Sequence, residues 1–427
     1  MNTTTAGSET GTSASYRTYV LVLLILIYTF NFLDRQIVGI LAGPIMKDLN
    51  LTKSEMGLMG GIAFAALYST LAIPIAWLAD RYSRVWIMTT ALTVWSGFTV
   101  ACGYAGSFWS MFLMRMGVGV GEAGGVAPAY SLIADYFPPK QRARALAAFS
   151  FGIPLGMALG ILLGGLLAAY IDWRWAFISV GLAGIVVAPI FRLTVRDPVR
   201  GGLDPAPVVK GEVPPFSAVC STILPKPSFW LLALGAACSS VCGYGVAFWL
   251  PTLFMESYGL SLADTSWYYS AIVFVGGIAG IWLGGVLADR MGSADRGAYA
   301  RVPALSFVIA LPFFFFALNA PSLLWAFPLF LVPTALNLVW LGPVVTAVQH
   351  LVPPSMRATA SAMFLLVNNL IGIGLGTYYF GFMADMLAPQ FGAEAMMYSL
   401  YSGGVFYVLA AVLMFLASRS LKKDWQN

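Results

Sequence analysis

Apolar runs of about 20 residues recur along this chain from Tyr19 to Ala417, and they constrain its fold more than any motif does. A run of that length matches the hydrocarbon thickness of a bilayer, where only a helix or a closed barrel satisfies its own backbone. A barrel would show short alternating segments, and these runs do not alternate. Hydrophobic residues make up 59% of the 427 and charged residues only 10%, against about 25% charged in a soluble domain. The chain therefore reads as an all-α polytopic membrane protein. Twelve spans are predicted, at 17–43, 55–79, 85–104, 107–137, 140–170, 174–194, 227–257, 264–288, 300–319, 321–350, 355–388 and 395–418.

Threading these spans sorts the charge. Of the 23 lysines and arginines, 18 fall on one side, leaving Lys47, Lys53 and Arg174 opposite and Arg35 and Arg115 inside the membrane. By the positive-inside rule the crowded side is the cytoplasm and both termini lie there. The net charge of +5 is thus a topology signal, not a nucleic-acid footprint. The first 15 residues are rich in Ser, Thr and Gly without a basic n-region, so a disordered tail is expected rather than a cleavable signal. Cys238 and Cys242 lie one turn apart with no His or carboxylate nearby, and the sole histidine, His350, sits at a helix end. Neither a metal, a cofactor nor a histidine relay is expected.

The two halves of the chain repeat. Leu78-Ala79-Asp80-Arg81 returns as Leu287-Ala288-Asp289-Arg290, and Pro138-Pro139-Lys140-Gln141-Arg142-Ala143 returns as Pro353-Pro354-Ser355-Met356-Arg357-Ala358. Both matches fall in equivalent cytoplasmic loops. Between the halves, Arg196 to Pro225 is rich in Pro and Gly. The expected organisation is a tail (1–16), a six-helix bundle (17–195), a cytoplasmic linker (196–226), a second bundle (227–418) and a short tail (419–427). Parallel six-helix repeats with such loops resemble the major facilitator architecture.

Charge inside the membrane marks the candidate site. An ionisable side chain at that depth costs roughly 3 kcal/mol unless it meets a partner or water. Asp34 and Arg35 lie deep in span 1, and Arg115 and Glu122 lie seven residues apart on one face of span 4. At 1.5 Å per residue, Asp34 is about 20 Å and Glu122 about 22 Å from the outer helix ends, with Arg115 about 12 Å in. Asp34 and Glu122 are expected near the midplane within reach of both arginines, two charged faces looking at each other across a cavity. A static salt-bridge cluster pinning span 1 to span 4 is the plainer alternative, but a buried ion pair seldom outperforms apolar packing. In a cavity the same carboxylates can exchange protons with changing water access, which suits proton coupling.

The second half carries no charge near mid-membrane; it offers Tyr244, Phe248, Trp249, Asn337, Trp340, Asn368 and Asn369 as a substrate wall. One charged and one aromatic wall suit an amphipathic substrate. At the cytoplasmic ends, Asp80, Arg81 and Arg84 with Asp289 and Arg290, joined by Arg142 and Arg357, are expected to latch the inner side. The glycines of span 5 (Gly152, Gly156, Gly160, Gly164, Gly165) and of span 11 (Gly372, Gly374, Gly376, Gly381) fit close helix packing, with or without a rocking interface.

Together these residues resemble one family. Asn31-Phe32-Leu33-Asp34-Arg35, Asp80-Arg81-Tyr82-Ser83-Arg84, Arg115 with Gly119-Val120-Gly121-Glu122-Ala123, Ile133-Ala134-Asp135-Tyr136-Phe137, Gln141-Arg142-Ala143-Arg144, Trp173-Arg174-Trp175 and Arg196-Asp197-Pro198-Val199-Arg200-Gly201 closely resemble the Spinster branch of the major facilitator superfamily. That resemblance implies export of sphingosine-1-phosphate, lysophospholipids or related lipids, and a proton-sensitive Asp34 acting with Arg35, Arg115 and Glu122. The compact chain and sparse loops look bacterial. The expectation is a non-enzymatic, monomeric secondary transporter of a bacterial cytoplasmic membrane. Asp34 and Glu122 would couple protons while Arg35 and Arg115 bind an anionic headgroup. A proton-coupled symporter of organic anions such as sugar acids, and a multidrug/proton antiporter, are the competing readings.

Overall fold

Residues 13–201, 203, 215–292, 295–353 and 356–426 are described in a computed structural model, the side chains of Ala143, Ala288, Asp289 and Ala358 apart. Among them every regular element is a helix. Six spans are single helices: span 1 (Ala14–Ile40), span 3 (Arg84–Cys102), span 6 (Trp173–Thr194), span 7 (Pro227–Tyr258), span 8 (Leu262–Gly292) and span 9 (Ala298–Leu318). Span 11 is a seventh, at Arg357–Phe391. The other five are interrupted. Span 2 breaks at Gly61 between Lys53–Gly60 and Ile62–Ala79, and span 5 at Phe151 between Pro139–Ser150 and Gly152–Tyr170. Span 12 breaks at Gly403 between Ala395–Ser402 and Gly404–Asp424. Span 4 breaks between Phe108–Glu122 and Val126–Tyr136, and span 10 between Leu323–Leu336 and Leu341–Gln349.

Among the described residues ten stretches are long and apolar enough to cross a membrane. They correspond to twelve spans because Thr359–Asp424 holds spans 11 and 12 in one run, while the two pieces of span 4 are 15 and 11 residues long, each too short alone.

The repeat seen in the loops reappears in the packing. Span 1 packs on 5, 3 on 6, 3 on 4 and 2 on 4; in the second half 7 packs on 11, 9 on 12, 9 on 10 and 8 on 10. These are the same four pairings displaced by six helices. The glycine stripe of span 5 serves the first of them: a Cβ on Gly156 would stand 2.4 Å from the Thr29 carbonyl oxygen. Between the halves, span 5 packs on span 8 and span 2 on span 11.

Exposed aromatics mark both rims of the lipid-facing surface. Trp109, Tyr170, Trp175, Trp267 and Trp325 ring the face away from the termini, and Trp77, Tyr82, Trp86 and Trp230 the face bearing them. Such girdles sit at membrane–water boundaries.

The segment expected as a linker is built into the halves at both ends. Tyr136 Oη donates to the Arg196 carbonyl. Asp197 and Arg200 bond to the first half. Phe216–Ile223 forms a helix that packs on span 11 and buries Val219 and Ile223.

Candidate functional site

Span 4 carries the centre of the site, and its local sequence explains its shape. Ser107 and Ser110 form a reciprocal cap at its start. Gly119 and Gly121 then admit neighbouring backbones: a Cβ at either would meet Phe64 O or Trp95 N at 2.5 Å. These glycines take spans 2 and 3, not a ligand. The helix stops at Glu122, where Gly124 and Gly125 turn back onto the carbonyls of Gly121 and Glu122. Its repeat partner, span 10, stops at the equivalent place, across Asn337–Trp340. Matched interruptions in two repeats are a recognised pointer to a transport site, because unwound backbone must line something polar.

At the first interruption Arg35 Nε donates to Glu122 Oε2 at 2.9 Å. Thr99 Oγ1 donates to Asp34 Oδ2 at 3.0 Å, drawing Asp34 toward span 3. Arg115 and Arg35 both act electrostatically on both carboxylates. The expected four-residue cluster is therefore assembled, but not across an open cavity. Asp34, Arg115 and Glu122 are 2%, 1% and 0% exposed, sealed within the first half. Only Arg35, with its side chain 10% exposed, reaches the rim of the cluster. It is ringed by Phe32, Phe64 and Tyr68 at 5.0, 4.9 and 4.4 Å.

Sealed does not mean satisfied. Asp34 Oδ1 and Arg115 Nε and Nη1 are buried without a hydrogen-bond partner among the described residues, while Asn31 lies within hydrogen-bonding reach of Glu122 and Tyr68 of Arg35. A static staple would leave few such atoms, since each costs about 1–3 kcal/mol or more for a charged group.

The second-half candidates divide. Tyr244 lies close enough to feel the Arg35 charge. Phe248 instead wedges against Gly39 and Gly60, its Cα 3.2 Å from where a Cβ on Gly39 would be, and closes the side away from the termini. Trp249 is fully buried and donates to the Thr377 carbonyl at 2.8 Å, so it is a brace inside the second half rather than a cavity wall. Asn337 accepts from Ser239 at 3.0 Å and Asn368 from Ser240 at 2.9 Å, tying spans 10 and 11 to span 7. Asn368 also donates to Asn369 at 3.2 Å. Trp340 is buried edge-on to Phe364.

The gate residues behave differently from the expected latch. Arg84 is wholly buried inside the first half, where it ion-pairs with Asp135 and Asp197 and donates to Ser131 and to the Pro198 carbonyl. Arg200 donates to the carbonyls of Ala79, Asp80 and Tyr82, capping span 2. Arg81 lies 3.8 Å over Trp77. Every one of these contacts is within one half, because the segment after span 6 folds back and supplies the partners. Arg142 and Arg357 each donate Nε to a carbonyl ending spans 4 and 10, Phe137 and Gln349. Arg290 is exposed, and the Asp289 side chain lies outside the described residues.

A lock that the sequence reading missed sits on the opposite face. Asp385 of span 11 accepts from the Lys53 and Ser54 backbone N–H groups at 3.3 and 2.7 Å and from Ser54 Oγ at 2.5 Å. It thereby caps the N-terminus of span 2 from the other half. Lys53 also pairs with Glu256 at 3.2 Å. Thr52 and Glu55 announce a helix start, but nothing local pairs it with a residue 331 positions away. Also missed were Thr99, Asn31 and the tyrosines Tyr28 and Tyr68 around Arg35, with Tyr130 behind Tyr28. Only Tyr28 and Asn31 carried a signal, at helical spacing from Arg35.

Two repeated bundles meeting over matched helix interruptions, with charge at one of them, define a multi-pass secondary transporter. The Major Facilitator Superfamily profile matches residues 24–377. The chain belongs to this superfamily and is a Spinster-like member of it, a transporter rather than an enzyme. It is 32% identical to an MFS-type efflux pump of Mycolicibacterium smegmatis over 94% of this chain and 92% of that protein. It is 30% identical to protein spinster homolog 1 of Xenopus laevis over 89% and 76%. Among solved structures it resembles a bacterial homolog of the human lysosomal transporter Spinster in an inward-facing, unoccupied conformation. There the TM-score is 0.86 at 33% identity, covering 97% of this chain and 100% of that one.

Proposed function

We propose that this protein is a proton-coupled transporter that moves an amphipathic anion, of lysolipid or sphingosine-phosphate type, by alternating access. The observation that carries the reading is the under-paired cluster of Asp34, Arg35, Arg115 and Glu122 at the break in span 4. Two carboxylates face two guanidinium groups there, with buried polar atoms of Asp34 and Arg115 left over. Protonating Glu122 or Asp34 removes an anion that Arg35 and Arg115 balance. Arg35, at the rim among Phe32, Phe64, Tyr68 and Tyr244, then becomes free to hold a phosphate while its aromatic surround takes the chain. Arg115, shut inside, keeps the remaining charge neutral. A shift of protonation thereby biases one access state over the other.

The protein would sit in a bacterial cytoplasmic membrane as a monomer, and the distribution of lysine and arginine supports both termini inside. Cross-half contacts at Asp385, Lys53 and Phe248 close the outer side, so the described state would admit substrate from the cytoplasm.

A second reading is favoured by one comparison: the efflux pump of Mycolicibacterium smegmatis matches nearly the whole chain. Under it the protein would be a multidrug/proton antiporter.

Flux in proteoliposomes under an imposed pH gradient separates the readings, using a lysophospholipid phosphate, a hexuronate and a lipophilic cation side by side. Gradient-dependent lipid flux that loses its pH dependence in Asp34→Asn is the expected result. Flux of the cation alone moves the protein to drug efflux. Hexuronate flux alone moves it to sugar-acid transport, and pH-dependent flux surviving in Asp34→Asn removes Asp34 from the coupling.

A further inference from the structure

Spans 9 and 12 pack against each other on the lipid-facing surface of the second half, and each exposes an apolar stripe to the bilayer. On span 9 the stripe includes Leu305 and Val308, both 48% exposed; on span 12 it includes Val412 and Phe415, 50% and 37% exposed. Both stripes end in cations of the same helical face. Arg301 precedes Leu305 by one turn, while Arg419 and Lys422 follow Phe415 at spacings of four and seven. Where they converge, on the rim that carries the termini, lies a cleft of about 500 Å³ lined by Arg301, Phe415, Ser418, Arg419 and Lys422.

We propose that this cleft is a binding site for the headgroup of an anionic phospholipid, whose acyl chains lie along the groove between spans 9 and 12. The charge balance points to an anion. Asp295 ion-pairs with Arg301 and lies 3.6 Å from Lys422, so one carboxylate is shared by two cations. Arg419 has no ion-pair partner among the described residues. Three cations against one anion leave two positive charges facing the cleft. An arginine offers a phosphate paired donors, and Lys422 adds an ammonium beside them. The apolar half of the site selects a lipid over a free anion, because Phe415 forms the wall where headgroup depth passes into hydrocarbon. Basic pockets between membrane helices at this depth hold anionic headgroups elsewhere. The site lies in the half away from the Asp34 cluster and stands independently of the transport reading.

Native mass spectrometry of the full chain tests this, after detergent-solubilised protein is mixed with equimolar phosphatidylglycerol and phosphatidylcholine. Wild type is expected to retain phosphatidylglycerol in preference by about tenfold. The Arg419→Gln/Lys422→Gln variant should lose that preference, and inorganic phosphate should not compete the lipid away at matched concentration. Equal retention of both lipids by wild type overturns the proposal, as does undiminished preference in the variant. Displacement by inorganic phosphate would mean that the cleft takes free anions, which also overturns it. Arg419 and Lys422 are exposed positions where glutamine is a good helix former, so a variant that elutes as a monodisperse peak gives a decisive reading. Should it fail to do so, Phe415→Ala, which keeps every charge, is expected to weaken lipid retention without affecting the preference for the anionic headgroup; retention equal to wild type then counts against the groove.

Discussion

Arg35 and Glu122 show at the residue scale what it costs to break a buried ion pair. Their contact is 2.9 Å long and the glutamate is fully enclosed. Removing one partner of such a pair costs about 3–5 kcal/mol, because the other charge is left in a medium that cannot solvate it. Arg35→Met should therefore lower thermal stability sharply, whereas Arg35→Met/Glu122→Gln should recover most of the loss. Melting curves of the two purified variants check this, and equal losses would mean that the charges are not coupled. The same logic explains Arg84, whose guanidinium is enclosed by Asp135, Asp197, Ser131 and the Pro198 carbonyl. It holds one half together; it does not join two.

Individual elements are set by how closely backbones approach. Span 5 lies on span 1 through a glycine face, and a side chain at Gly156 would collide with the Thr29 carbonyl at 2.4 Å. Backbone cannot swing aside, so Gly156→Val should cost about 1–3 kcal/mol by overpacking. Gly97 in span 3 has nothing within 4 Å of its missing Cβ, and Gly97→Ala should be neutral or stabilising. Paired thermal shifts of the two variants test whether the stripe is packing. If Gly156→Val melts like wild type, spans 1 and 5 are looser than described. The breaks in spans 4 and 10 belong to this scale as well. Gly124-Gly125 marks the first, while the second follows Pro333 and precedes Gly342-Pro343, residues that tolerate or enforce a loss of helical bonding.

For the whole molecule the decisive contact is the cap of span 2 by Asp385. It joins the halves on the face away from the termini and must part if that face is to open. Hydrogen bonds to a charged acceptor are worth about 1.5–3 kcal/mol, enough to shift a two-state equilibrium about tenfold or more. Asp385→Ala should therefore populate an outward-open state. Spin labels at Glu55 and Gln390 would read it as a longer distance component absent from wild type. An unchanged distance distribution would show that Phe248 and its neighbours hold that face shut without the cap.

What the sequence determined by itself was everything governed by local chemistry or by strict periodicity. Apolar length specified the spans, lysine and arginine placement specified the expected sidedness, and two loop matches specified the repeat that the helix pairings then reproduce. Depth counting brought Asp34 and Glu122 to one level, and they do share one cluster with Arg35 and Arg115. What only the tertiary structure decided was partnership. The sequence could not say that Trp249 braces the Thr377 carbonyl, that Arg84 turns inward to Asp135 and Asp197, or that Asp385 caps a helix start 331 residues away. The physical reason is that a side chain's type states which interaction it needs, while the distance between helices in space states which residue can supply it.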